Sequence, residues 1–185
     1  MSLFKSLKLV KNKKYANFLP RFLASLIDSQ LLNLPFVLSI FLIVKKDSWE
    51  EMLAFSISII ALVVLPVGLL TLIYYPFFLS RQGKTIGKAI LGIKLTDKNG
   101  KFLSFRQVIF REYICKPVSF LLFGLGMIAI LFDKDHQAWH DKLSGTYVHL
   151  EAKRVSAGIV TLVLLLATHA YFIFEIFNCC GGDRI

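Results

Sequence analysis

Acidic side chains are scarce in this chain. Twelve Asp and Glu stand against 22 Lys and Arg, and charged residues make up only 18% of its 185 positions. Cysteine is scarcer still: the lone Cys115 and the adjacent Cys179 and Cys180 cannot build the disulfide framework of a small secreted fold. What replaces charge is hydrocarbon. Apolar residues reach 56%, aromatics 14%, and mean hydropathy is +0.64. That composition excludes a disordered chain and exceeds what a soluble globule of this length can hide, so the sequence reads as a membrane protein. The net charge of +10 is then a matter of topology, because Lys and Arg kept out of the bilayer collect in the flanks, above all the cytoplasmic ones. The lipid bilayer, not nucleic acid, is the expected partner.

Three runs are long enough to span: residues 22–44, broken only by Asp28; residues 53–79, without a charge; and residues 155–177, carrying only His169 and Glu175. At about 1.5 Å per residue each exceeds a hydrocarbon core of about 30 Å. Pro35, Pro66 and Pro76 fall inside the first two, so kinks are expected, with freed carbonyls taking partners from neighbouring helices or water. The basic residues before residue 22 place the first span too far in for a cleaved signal peptide. A fourth run, 118–132, reaches only about 22 Å as a helix. It either crosses with Arg111, Glu112 and Lys116 snorkelling to the interface, or re-enters through a hairpin at Gly124 and Gly126.

Basic residues number six before residue 22, two in 45–52, nine in 80–117, four in 133–154 and one in the tail. The two heavy clusters belong in the cytoplasm, with the N-terminus, and the count slightly favours a dipping fourth segment. Alternation over 91–96 followed by Asp97-Lys98-Asn99-Gly100 and Lys101-Phe102-Leu103 predicts an extramembrane β-hairpin. Residues 145–150 read as another strand, able to pair with it only if both lie on one side of the membrane. The expected fold is therefore an all-α membrane protein: a small multi-pass helical bundle with three spans, a short spanning or re-entrant fourth segment and a small hairpin. A basic leader (1–14), a membrane domain (15–150) and an additional C-terminal helix with a short tail (151–185) divide the chain.

Asp28 is the residue that composition does not explain. An ionised carboxylate in hydrocarbon costs at least about 2.5–3.5 kcal/mol, so it should face protein, a cation or water. Arg21 lies seven positions earlier, near the same helix face and roughly 10 Å away along the axis. It would favour the ionised form of Asp28. Gly83-Lys84-Thr85 suggests a phosphate loop, but that loop needs glycine where this chain has Phe78. Its lysines are expected at lipid headgroups. His136 and His140 are spaced to share one helix face near Asp133, Asp135 and Asp141, yet Gln137 stands where a zinc protease needs its Glu, and solvated or capping roles outweigh a metal. Cys179-Cys180, beside a helix end, reads as an uncommitted polar tail more than as a palmitate acceptor.

Arg21-Phe22-Leu23-Ala24-Ser25-Leu26-Ile27-Asp28 resembles the opening of the RDD family, named for an arginine and two aspartates. Gly83 to Lys88, Leu91-Gly92-Ile93 and Asp97 to Gly100 resemble its middle segment, and His140-Asp141-Lys142-Leu143-Ser144-Gly145-Thr146 its closing motif. The resemblance covers about residues 15–150 and leaves out the last helix. It implies a small multi-pass membrane domain in which Arg21, Asp28 and Asp141 line an ion- or substrate-binding site, with transport suspected and sodium/proton exchange proposed for some members. No catalytic residues, cofactor or metal are expected, and the protein is not read as an enzyme. A bacterial inner-membrane location follows, with a homo-oligomer or membrane partner supplying the second half that alternating access requires. The competing reading is an assembly subunit whose polar residues only hold helices together.

Overall fold

A computed structural model describes residues 15–44, 49–59, 61, 65–121 and 124–181. The basic leader, the last four residues and the side chains of Cys179 and Cys180 lie outside the described part. The chain is mostly helical. Helix α1 runs Phe18–Val44, followed by α2 (Trp49–Ile59) and α3 (Leu65–Gln82), which cover residues 53–59 and 65–79 of the run expected to span at 53–79. Short α4 (Ile86–Leu91) leads into strand β1 (Ile93–Asp97). Helix α5 (Phe105–Ile109) continues through a π-helical turn, Phe110–Cys115, into α6 (Lys116–Leu121). Then come α7 (Leu125–Ile128), extended by a 3-10 turn over Ala129–Leu131, α8 (Trp139–Ser144), β2 (Thr146–Leu150) and long α9 (Val155–Gly181).

Within α9, Val155–Ile176 has a mean hydropathy of 2.1 and is long and apolar enough to cross a membrane. Its flanks show Val160, Val163 and Leu164 each more than half exposed, and α3 does the same with Leu65, Leu69 and Ile73. Bare hydrocarbon on this scale asks for lipid or a partner. Pro66 is the second described residue of α3. Pro76 cannot donate to the Leu72 carbonyl, and the Tyr113 hydroxyl does so instead at 3.0 Å, tying α3 to the π turn.

The expected hairpin does not form. Its turn is real: the Gly100 N–H donates to the Asp97 carbonyl at 3.1 Å, with Gly100 at φ +80°, and the Asn99 and Lys101 N–H groups donate to the Asp97 carboxylate at 2.8 Å each. Residues 101–104 then run into α5 instead of returning as a strand, because Ser104 and Gln107 form a reciprocal capping box that starts the helix. Strand β1 pairs antiparallel with β2, from Ile93 opposite Leu150 to Asp97 opposite Thr146. Tyr15 bridges to His149, and the Ala16 N–H donates to the Val148 carbonyl at 2.8 Å.

This pairing holds residues 15–16, 93–97 and 146–150 on one side of the molecule. Any membrane the chain crosses must therefore be crossed an even number of times between β1 and β2. The fourth apolar run meets that condition by turning back: Gly124, at φ +75°, separates α6 from α7, and Gly126 lies so close to α6 that a Cβ there would come within 2.8 Å of the Ser119 Cβ. Snorkelling by Arg111 and Glu112 is also overturned, since both are buried at 2% and 7% exposure. They are folded inward by the π turn. Beneath the sheet, Leu23 and Ile27 of α1 pack with Leu79, Leu91, Ile93, Leu95 and Val148 in one apolar core. Helix α9 joins this body where Gly158 admits the Leu91 side chain.

Candidate functional site

Asp28, 1% exposed, sits on α1 where α4 crosses it. The Tyr74 hydroxyl and the Gly87 N–H donate to Oδ1 at 2.9 and 2.8 Å, and the Thr85 hydroxyl donates to Oδ2 at 2.5 Å. Tyr74 in turn accepts from the Ile86 N–H at 3.1 Å. The local sequence explains the geometry. Thr85 is the N-cap of α4, so its hydroxyl and the free N–H groups of the first turn point at whatever anion lies there. Gly87 lets the backbones touch, because a Cβ there would stand 2.3 Å from the Ala24 carbonyl oxygen. The segment that fails as a phosphate loop thus cradles an anion of this chain's own.

Arg21 does not reach Asp28 as an ion partner. Its Nη1 pairs with Asp141 Oδ2, and its Nε donates to the Ala16 carbonyl at 2.9 Å. Asp141 Oδ1 accepts from Arg111 Nη2 at 2.6 Å, and Oδ2 also accepts the Ala138 N–H at 3.1 Å, closing the start of α8. Arg111 is fully engaged, with Nε on the Thr146 hydroxyl at 3.1 Å and Nη1 on Glu112, whose other oxygen pairs with Lys116. Three distant stretches meet here: α1, the π turn and α8. Burial alone would raise the Asp141 pKa, but Arg111 and then Arg21 outweigh it and hold the carboxyl below its ordinary value of 3.8. Burial, with Arg111 beside it, pushes His140 down to about 3, so its imidazole is neutral at pH 7.

Between the two clusters lies a cavity of about 70 Å³ whose polar walls include the ionisable side chains of Arg21, Asp28, Lys88, Arg111, Lys116 and His140. At about 10–15 Å³ per water it holds several waters or one small ligand. Among the described residues, two buried polar atoms on its lining side chains lack a partner: Arg21 Nη2 and His140 Nδ1. Buried polar atoms are ordinarily satisfied by protein or by ordered water.

The motif order is matched by comparison with known proteins, for residues 15–145 fit the RDD family as a whole. The chain belongs to the RDD family. Among its relatives, the uncharacterized protein YckC of Bacillus subtilis (strain 168) is 33% identical over 139 residues, covering 73% of this chain and 84% of that protein. The uncharacterized YxaI of the same organism is 29% identical, with 74% and 97% covered. RP437 of Rickettsia prowazekii (strain Madrid E), also uncharacterized, is 26% identical over 56% of each chain. No solved structure matches.

In this RDD chain the arginine and the second aspartate touch, while the first aspartate faces the same cavity from a separate cradle. Arg21 pairs with Asp141, and Asp28 takes its hydrogen bonds from the neutral Tyr74, Thr85 and Gly87 groups. His136 and His140 do not share a helix: His136 lies in the loop before α8, at φ +50°. Asp133 caps that loop, accepting the Gln137 N–H at 2.9 Å, and no His, Cys, Asp and Glu cluster among the described residues could hold a metal. Reading the sequence missed Tyr74, Thr85, Gly87, Arg111 and Thr146 as members of the network. The available signal was Arg111-Glu112 with Lys116 at i,i+4 in an otherwise apolar stretch, a charge set too large for a lipid-facing helix.

Proposed function

We propose that this RDD protein is a multi-pass protein of the bacterial inner membrane that binds a small charged ligand in the cavity beside Arg21 and Asp28 and carries it across the bilayer as an oligomer. The observation that carries this reading is the pair of atoms, Arg21 Nη2 and His140 Nδ1, that have no partner among the described residues and belong to side chains lining the cavity. In this reading α1, the α2–α3 stretch and α9 cross, and the sheet face is cytoplasmic. Nineteen basic residues then lie inside and three outside, as the positive-inside rule asks. Asp28 sets the floor of the site and the Arg21–Asp141–Arg111 cluster its wall.

Flux in proteoliposomes tests it. Imposed sodium, potassium, chloride and phosphate gradients are read in parallel with a trapped pH dye and radiolabelled ions. At least one should drive flux in the wild type, and Met127→Trp, which fills the cavity from its apolar side, should reduce that flux at least tenfold while melting normally. Absence of flux under every gradient, from folded protein, rejects transport. The assembly reading has one observation of its own: all three donors around Asp28 come from other parts of the chain, which makes Asp28 a brace between α1, α3 and α4. A stoichiometric partner on purification, with no flux from the protein alone, would favour it.

A further inference from the structure

The charges around the cavity do not balance. Arg21, Lys88, Arg111 and Lys116 face it or line it, whereas the carboxylates in contact with this group are Asp141 and Glu112, with Asp28 in its own cradle. Among the described residues, four cations meet three acids. Arg111 has every nitrogen engaged and Lys116 is paired with Glu112. The surplus falls on two groups. Arg21, its side chain 8% exposed, keeps Nη2 without a partner among the described residues. Lys88 makes no ion pair among the described residues and only passes Tyr75 at 6.0 Å from the ring centre. A sodium ion would meet cations on most sides and find Asp28 already accepting three hydrogen bonds, close to its capacity of about four.

We infer that the cavity is an oxyanion site that takes a phosphate group, held by the free face of the Arg21 guanidinium and the Lys88 ammonium. Resting on the ligand-binding reading above, this names the ligand class. A guanidinium with a free N–H edge donates to phosphate oxygens in a fixed direction, and an ammonium adds a point charge from a second side. His140, beside them, offers a neutral ring nitrogen to the acidic hydroxyl of a monohydrogen phosphate. Burial of Lys88, only partly opposed by Glu112, lowers its ammonium to about 8, as expected of a cation short of counter-charge. Room for a single small group fits inorganic phosphate or the phosphate of one lipid headgroup, the two sources of this chemistry.

The test measures equilibrium binding by the full chain in detergent, so it does not depend on transport. Inorganic phosphate is titrated at constant ionic strength against chloride, followed by calorimetry and by ³¹P line broadening. Lipid retained through purification is read by native mass spectrometry, with and without added phosphatidylglycerol. Lys88→Met removes a cation with no ion pair among the described residues, and Lys84→Met removes an equal charge from a surface pair with Glu151. Saturable phosphate binding that weakens at least tenfold in Lys88→Met and not in Lys84→Met supports a free-anion site. Retained phospholipid lost only in Lys88→Met supports a headgroup site. Neither ligand bound, or equal loss in both variants, overturns the assignment, as does saturable sodium binding to the same cavity. Phosphate binding without flux would leave this site standing while transport fell.

Discussion

Replacing Asp141 by Asn is expected to destabilise the protein by about 3–5 kcal/mol, because removing one partner of a buried ion pair leaves the other charge uncompensated. Two guanidinia depend on this carboxylate. Arg111 would retain Glu112, but among the described residues Arg21 would retain only the Ala16 carbonyl. Asn keeps one oxygen for the Ala138 N–H and turns an amide N–H₂ toward an arginine, so the start of α8 suffers as well. Thermal melting in detergent should show a large fall in Tm or failure to accumulate. Glu151→Gln, which loses a surface pair with Lys84 and Lys94, should change stability by about 0–1 kcal/mol.

Acid should act on the same cluster with a definite sign. The Asp141 pKa is lower in the folded state, so its contribution is complete above the ordinary carboxylate value of 3.8 and is lost as pH falls through the depressed one. His140 acts earlier. With a folded value of about 3 against 6.5 when unfolded, the unfolded chain takes up a proton that the native state refuses. Tm should therefore decline from near pH 6.5 downward, and His140→Gln should flatten that decline.

Gly87→Ala is the second large effect. The new Cβ would lie 2.3 Å from the Ala24 carbonyl oxygen and 3.0 Å from Asp28 Oδ1, and the first of these is backbone that cannot swing aside. Helix α4 must retreat from α1, taking with it the Gly87 N–H and Thr85 hydroxyl bonds to Asp28. Overpacking costs about 1–3 kcal/mol, and a buried carboxylate losing two of three donors adds to it. The measurement is the Tm of Gly87→Ala against that of Gly68→Ala, where a Cβ on α3 meets nothing within 4 Å. A substitution at Gly87 as mild as at Gly68 would mean that α4 does not press on α1 in solution.

These residues also show how much the sequence could say. Asp28 announces itself as a single acid in an apolar run, and its burial follows from the cost of leaving it in lipid. Its partners do not announce themselves, because Thr85 and Gly87 lie nearly 60 positions away and their contribution is a hydroxyl and a backbone N–H. The turn at 97–100 was legible because Asp, Asn and Gly have local reasons to be there. The partner of β1 was not, since strand pairing across 50 residues is decided by tertiary packing. Arg111 and Glu112 read as interfacial because periodicity cannot foresee a π turn that rotates both inward.

The central claim is that the three motifs meet on one face, with residues 118–132 returning to the side they left. Cysteines placed singly at 99 and 134, both exposed, in a background with Cys115, Cys179 and Cys180 replaced by Ala, can be probed with a membrane-impermeant thiol reagent. Both should stay unlabelled in intact cells and react once the cytoplasmic face is opened. Opposite labelling of the two would place β1 and β2 on different sides of the bilayer and contradict the account.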